Sequence, residues 1–121
     1  MGLEYGIRIG HTNTNTASDG KQAEWLLDML HSRLVFAFGN DETYRIVYHH
    51  HQLTVLQQYD RWPEVLEISL KYSRGELEGT VAGERYVYIL CHIGGSLVQP
   101  LLAVVDDVLK QFLPGTVREE L

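Results

Sequence analysis

Three consecutive histidines, His49, His50 and His51, form the one local cluster of chemically capable side chains in the sequence. Imidazole binds metal ions, transfers protons and changes its charge near neutral pH. On a strand, alternate residues share a face, so His49 and His51 are expected on one side and His50 on the other. Such a pair suits zinc, copper or nickel, but a zinc site needs at least a third protein ligand. The candidates for that ligand, none at a diagnostic spacing, are His31, His92, Cys91 and Asp41.

A polar turn on the surface is the simpler explanation of the three histidines, because they lie where the long β segment must break and a third ligand is not marked by spacing. The sequence therefore leaves two interpretations open. One is a divalent metal bound by His49 and His51, and the other is no cofactor.

Two sets of tyrosines and histidines also fall at alternate positions. Val87, Ile89, Cys91 and Ile93 form an apolar set that suits the core, which places the intervening residues on the other face. Tyr86, Tyr88 and His92 are therefore predicted to face outward and to bind a partner. Tyr44, Tyr48 and His50 share a face of another strand and are predicted to join this surface if that face is outward; its orientation is open, because Val47 is the only apolar residue of the alternate set. Tyrosine offers a large contact area with a polar end and is enriched at interfaces. The alternative is that these tyrosines pack beneath the helices.

Three other constellations favour structure over chemistry. Cys91 lies in the apolar set and is expected to be a buried, unreactive thiol. Gly94-Gly95-Ser96 precedes a helix, where backbone N–H groups can bind anions, but it matches no phosphate-binding pattern and suits a tight turn. Asp106 and Asp107 are neighbours on a helix and do not face each other, so they form no catalytic pair.

Two helices are predicted to position these residues. The first follows a polar loop and is capped by Ser18 or Asp19, and its stripe of apolar residues comprises Ala23, Leu26, Leu27, Leu30 and Leu34. The second follows Gly94-Gly95-Ser96 and ends at Pro114-Gly115, before a short charged tail. Its apolar positions are Val98, Leu101, Leu102, Val105, Leu109 and Phe112, and a helix this apolar must be covered on most sides.

Strand texture dominates the remainder of the chain. Alternation or short apolar runs predict strands at residues 3–9, 34–38, 43–49, 65–72, 76–82 and 85–93, with a hairpin turn at Arg74-Gly75. A single strand from Tyr44 to Tyr59 would be about 50 Å long at about 3.3 Å per residue, so this segment must break. Either it forms a hairpin that turns at the histidines, or a strand is followed by a helical turn from Gln52 to Tyr59.

This order of elements predicts an α+β two-layer sandwich. The sheet is mostly antiparallel, has about five to six strands, and carries both helices on one face. The opposite face is then open to solvent or to a partner. Residues 1–121 are expected to form a single domain, as their number fits one hydrophobic core.

Composition limits the partners and the compartment. The net charge is −6 and the basic residues are scattered, which argues against nucleic acid. No apolar run reaches membrane-spanning length, and the first residues lack the regions of a signal peptide. A single cysteine fits a reducing compartment. These features predict a cytoplasmic protein without nucleic-acid or membrane partners.

The absence of a motif with catalytic spacing, the acidic charge and the tyrosines favour a non-enzymatic protein-interaction module. Such a module would bind a partner protein, or a second copy as a homodimer, through a tyrosine-rich sheet face or an edge strand. The competing hypothesis is a small metal-binding protein or metal-dependent enzyme that uses the His49/His51 pair. A third is a small-ligand pocket between the helices and the sheet.

Overall fold

The computed structural model describes residues 3–8, 16–58, 63–72, 85–93 and 95–121, and for residues 16–20 it describes the backbone alone. The elements, in chain order, are β1 (Leu3–Ile7), α1 (Thr16–Phe38), β2 (Tyr44–His49), β3 (Gln52–Gln57), β4 (Glu64–Tyr72), β5 (Arg85–Cys91), a 3₁₀ turn (Gly95–Leu97), α2 (Gln99–Phe112) and β6 (Arg118–Glu120).

The six strands form one antiparallel sheet in the order β2-β3-β4-β5-β1-β6. Both helices pack on the same face of this sheet, which confirms the predicted α+β sandwich. The core between the layers combines fully buried residues such as Leu30 of α1, Leu101 of α2 and Ile89 of β5. The register aligns Ile68 of β4 with Ile89, so apolar residues of neighbouring strands form continuous rows beneath the helices.

Helix α1 is longer than its sequence pattern predicts. The predicted apolar stripe is confirmed, since all five of its members are fully buried. The prediction of a strand at residues 34–38 is wrong, because the helix continues to Phe38. It also begins at Thr16, so Ser18 and Asp19 lie inside the helix and not at its cap. A short run of apolar, β-branched and aromatic residues is compatible with both structures, and here helical packing decides between them.

The ambiguous segment after Tyr44 is a hairpin that reverses at His50 and His51. Both residues have positive φ, 49° and 57°, and His49 pairs with Gln52 across the turn. A two-residue loop with positive φ at both central positions is a type I′ turn, whose twist matches that of the flanking strands. The hairpin interpretation is therefore confirmed, and the helical turn from Gln52 is wrong.

The chain ends differently from the predicted charged tail. Residues Arg118–Glu120 form β6, which pairs with β1 at the edge of the sheet. The Arg118 guanidinium donates to both carboxylate oxygens of Asp106 on α2, at 2.8 and 3.2 Å, and lies over the Tyr5 ring. The predicted turn at Arg74-Gly75 and the strand at 76–82 lie outside the described residues.

Within the described ranges, neither helix is long and apolar enough to span a lipid bilayer.

Candidate protein-interaction surface

The sheet face opposite the helices is called the outer sheet face here. Because strand residues alternate, it carries the residues that lie between the core positions. The pairing aligns Val47 of β2, Thr54 of β3, Glu67 of β4, Leu90 of β5 and Glu4 of β1 in one row across five strands. Val47 and Glu4 are exposed, and the three central members are half-buried. This row mixes apolar, hydroxyl and carboxylate groups on one surface.

Glu67 is the centre of a hydrogen-bonded cluster on this face. Its Oε2 lies 2.7 Å from Nε2 of His92, and its Oε1 accepts a hydrogen bond from the amide of Gln52 at 3.2 Å. About a quarter of the His92 and Glu67 side chains is exposed. Both carboxylate oxygens are therefore engaged, while the cluster stays accessible to a further polar group.

Tyr86 and Tyr88 form a separate small cluster with Leu90 on the outer sheet face. Their orientation away from the helices is as predicted, but their exposure is not, because only 2% of Tyr86 and 8% of Tyr88 is accessible. The Tyr88 hydroxyl donates to Glu4 at 2.6 Å, and the Lys71 ammonium lies 3.6 Å from the centre of its ring. Burial, followed by the bond to Glu4, raises the pKa of Tyr88 to about 12.

The other predicted tyrosines lie on the helix side of the sheet. Tyr44 is 7% exposed, packs against Phe38 and donates to the carbonyl of Leu97 at 2.6 Å. Tyr48 is half-buried, stacks on His31 and donates to Asp28 of α1; burial and that carboxylate raise its pKa. The two tyrosine sets therefore do not share one exposed surface, which corrects the predicted tyrosine-rich face. A role of any of them in partner binding stays a prediction.

The three histidines lie at the end of the β2–β3 hairpin and are exposed. The rings of His49 and His50 approach each other to 3.9 Å between centroids. Strict alternation across the run is wrong, because His50 and His51 belong to the turn and have left-handed backbone conformations. His50 therefore lies at the rim of the sheet and not within a tyrosine row.

The structure brings no third ligand to the His49/His51 pair among the residues it describes, where no group of three or more His, Cys, Asp or Glu side chains is arranged to hold a metal ion. His31 packs on the helix side, and Cys91 lies in the core. His92 is engaged by Glu67. The metal interpretation stays a prediction that lacks its third ligand.

Cys91 and Gly95 behave as structural residues. Cys91 is 1% exposed, and burial raises the pKa of its thiol, which favours the protonated, unreactive form. Gly95 has φ of 80°, in the left-handed region that favours glycine, so the turn before α2 explains its presence.

Sequence reasoning missed four residues of the outer sheet face: Gln52, Thr54, Leu56 and Glu67, the last of which is the centre of the hydrogen-bonded cluster. The available signal was Glu67, a carboxylate between apolar residues in a strand with clear alternation. Its partners could not be inferred, since they depend on the register between β3, β4 and β5.

Comparisons with protein-family models, with curated proteins and with solved structures found no match to this chain.

Proposed function

We propose that this protein is a non-enzymatic interaction module of the cytoplasm that binds a partner protein through the outer sheet face. The observation that carries the proposal is the unequal covering of the sheet. Both helices lie on one face, whereas the opposite face presents accessible apolar side chains around a polar cluster. A mixture of this kind, apolar area with a few directed polar groups, is typical of non-obligate protein interfaces.

The apolar part consists of Val47, Leu56 and Leu90, which come from three different strands. Val47 is 39% exposed, on the strand at the sheet edge, and the other two are half-buried. A partner that covered these residues would remove apolar surface from water, which is the main favourable contribution to association. Area of this kind supplies affinity without selecting one partner.

The polar part supplies selectivity. Glu67 and Glu4 place two carboxylates in one row of this face, which also carries the Lys71 ammonium, and the chain as a whole is acidic, with net charge −6. The net negative charge of the chain favours a partner whose contact surface carries Lys or Arg, since complementary potentials accelerate encounter and disfavour wrong partners. The proposed partner is therefore a protein with a basic contact patch.

The test compares proteins that co-purify with the full chain and with two matched variants. Thr54→Lys adds bulk and charge at the centre of the face, and it lies opposite Glu67, which offsets the new charge. Val117→Lys makes the same kind of change at a residue that is 65% exposed and lies outside the sheet. We expect a partner whose recovery falls at least about tenfold with T54K and is unchanged with V117K. Equal recovery with wild type and T54K would contradict the proposal.

A further inference from the structure

A groove separates the two helices on the side that faces away from the sheet. Trp25 near the middle of α1 packs edge-on against Phe112 at the end of α2. Ala37 at the end of α1 lines the same groove as Val104 in the first half of α2, so the helices run antiparallel. Toward the C-terminal end of α1, seven residues of the two helices line a partly open groove of about 140 Å³: Arg33, Phe36, Ala37, Val104, Asp107, Val108 and Gln111. The apolar part of this lining comes from Ala37, Val104 and Val108.

Phe36 stands at the rim of this groove with 88% of its surface exposed, the highest value among the large apolar residues described. An aromatic ring so exposed contributes little to the stability of the monomer, because it removes almost no apolar area from water. Single exposed apolar residues are common on protein surfaces, but this one adjoins an opening of its own size. The groove of about 140 Å³ is open to solvent on one side and has room for one phenyl ring, since a closed cavity of about 150 Å³ holds one benzene molecule.

The groove carries one positive and one negative side chain, so its charge pattern is complementary to that of the same groove in a second copy. Arg33 and Asp107 line the same groove with opposite signs, yet neither forms an ion pair with any residue in the described part of the chain. Arg33 instead donates to Gln111 at 3.0 Å and lies over the Phe112 ring. In a two-fold symmetric interface, every contact between two different residues occurs twice. Arg33 of each copy can therefore meet Asp107 of the other.

We propose that two copies of the chain pair through this groove around a two-fold axis. Phe36 of each copy occupies the groove of the other, and each Arg33 lies beside Asp107 of the second copy. This pairing uses the helical layer alone. It leaves the outer sheet face free, so the homodimer and the proposed partner binding stand or fall separately.

The first test measures the dissociation constant of the dimer by sedimentation velocity of the full chain. Phe36→Ala removes two rings per dimer, and since each buried aromatic anchor contributes about 30-fold, the dissociation constant should rise about 1000-fold. Val117→Ala is the matched control, because it shortens another exposed apolar residue outside the groove and should leave the dissociation constant unchanged. Circular dichroism melts establish that both variants remain folded.

The second test is specific for the contact between copies. In the Arg33→Asp chain and in the Asp107→Arg chain, like charges would face each other at both contacts of a homodimer, and each protein alone should be monomeric. Mixing the two restores both opposite-charge pairs, so the mixture should form a heterodimer. An ion pair within one chain cannot produce that result.

Two results would overturn the proposal. One is a wild-type chain that is monomeric at all concentrations up to about 1 mM. The other is a dimer whose dissociation constant is the same with F36A, or whose two charge variants do not associate when mixed.

Discussion

Neighbouring residues of β5 experience two different environments. Val87, Ile89 and Cys91 pack beneath the helices in a core that is almost entirely apolar. Tyr86, Tyr88 and Leu90 lie on the outer sheet face, where hydroxyl, carboxylate and imidazole groups bind one another. The helix-side residues are what the fold requires, since burying them drives folding. Burial of apolar side chains does not explain the polar cluster on the outer face, which is therefore the candidate for function.

The largest expected effect is a difference in the free energy of unfolding between alanine variants of Ile89 and of its neighbour Leu90. Ile89→Ala leaves a cavity in the core and should lower the free energy of unfolding by about 3 kcal/mol. Leu90 is half-buried on the outer face, so Leu90→Ala should cost less than about 1.5 kcal/mol. Urea denaturation of both variants measures the difference. Equal losses would show that the outer face is packed as tightly as the core, and the comparison between faces would fail.

The histidine turn should be suboptimal for stability. His50 and His51 both adopt positive φ, which costs about 1 kcal/mol or more for residues other than glycine. Asn-Gly is the preferred sequence of a type I′ turn, so His50→Asn with His51→Gly should raise the free energy of unfolding by about 1 kcal/mol. Thermal melts of the wild-type chain and the double variant under identical buffer conditions provide the measurement. A lower melting temperature would show that the histidines make stabilising contacts at the turn.

Ionisation of Tyr88 on the outer sheet face should lower the free energy of unfolding at alkaline pH. Its folded-state pKa of about 12 exceeds the ordinary 10, since burial and Glu4 disfavour the phenolate. The stabilisation is therefore complete below pH 10 and is lost as the pH rises through about 12. Tyr88→Phe should cost about 1 kcal/mol at neutral pH and should weaken the decline between pH 10 and 12. An identical decline in wild type and Y88F would assign it to other groups.

The smallest effect on stability should come from the Glu67 cluster. The pair with His92 is partly exposed, and such pairs contribute about 0 to 1 kcal/mol. Glu67→Gln should therefore change the free energy of unfolding by less than about 1 kcal/mol, while it weakens partner binding by removing the central carboxylate. A loss above about 2 kcal/mol in urea denaturation would make the cluster structural.

The sequence predicts the buried core much better than it predicts where the helices and strands end. The alternation of Val87, Ile89 and Cys91 and the stripe in α1 identified the core, because burial imposes a period on the residues it selects. The run that ends at Phe38 wrongly predicts a strand, since a short apolar run has the same composition in a strand and in a helix. β6 was missed because Arg118-Glu119-Glu120 has no apolar pattern, and its pairing with β1 is specified by tertiary contacts.

The candidate surface was predicted only in part, for the same reason. Tyr86, Tyr88 and His92 were placed on the correct face of β5, but their burial and their partners depend on the neighbouring strands. The sequence leaves the orientation of Tyr44 and Tyr48 open, because Val47 is the only apolar residue in the alternate set of their strand. The contacts with Phe38 and Asp28 of α1 that hold them on the helix side are invisible in the local pattern.

Site-specific photo-crosslinking in living cells tests the proposed function most directly. A photoreactive phenylalanine analogue replaces Thr54 on the outer sheet face or, as the control, Val117 outside the sheet. If the partner binds the outer sheet face, we expect a discrete adduct with a second, different protein from position 54 and none from position 117. Adducts from position 117 alone, or only adducts between two copies of this chain from position 54, would contradict partner binding through this face.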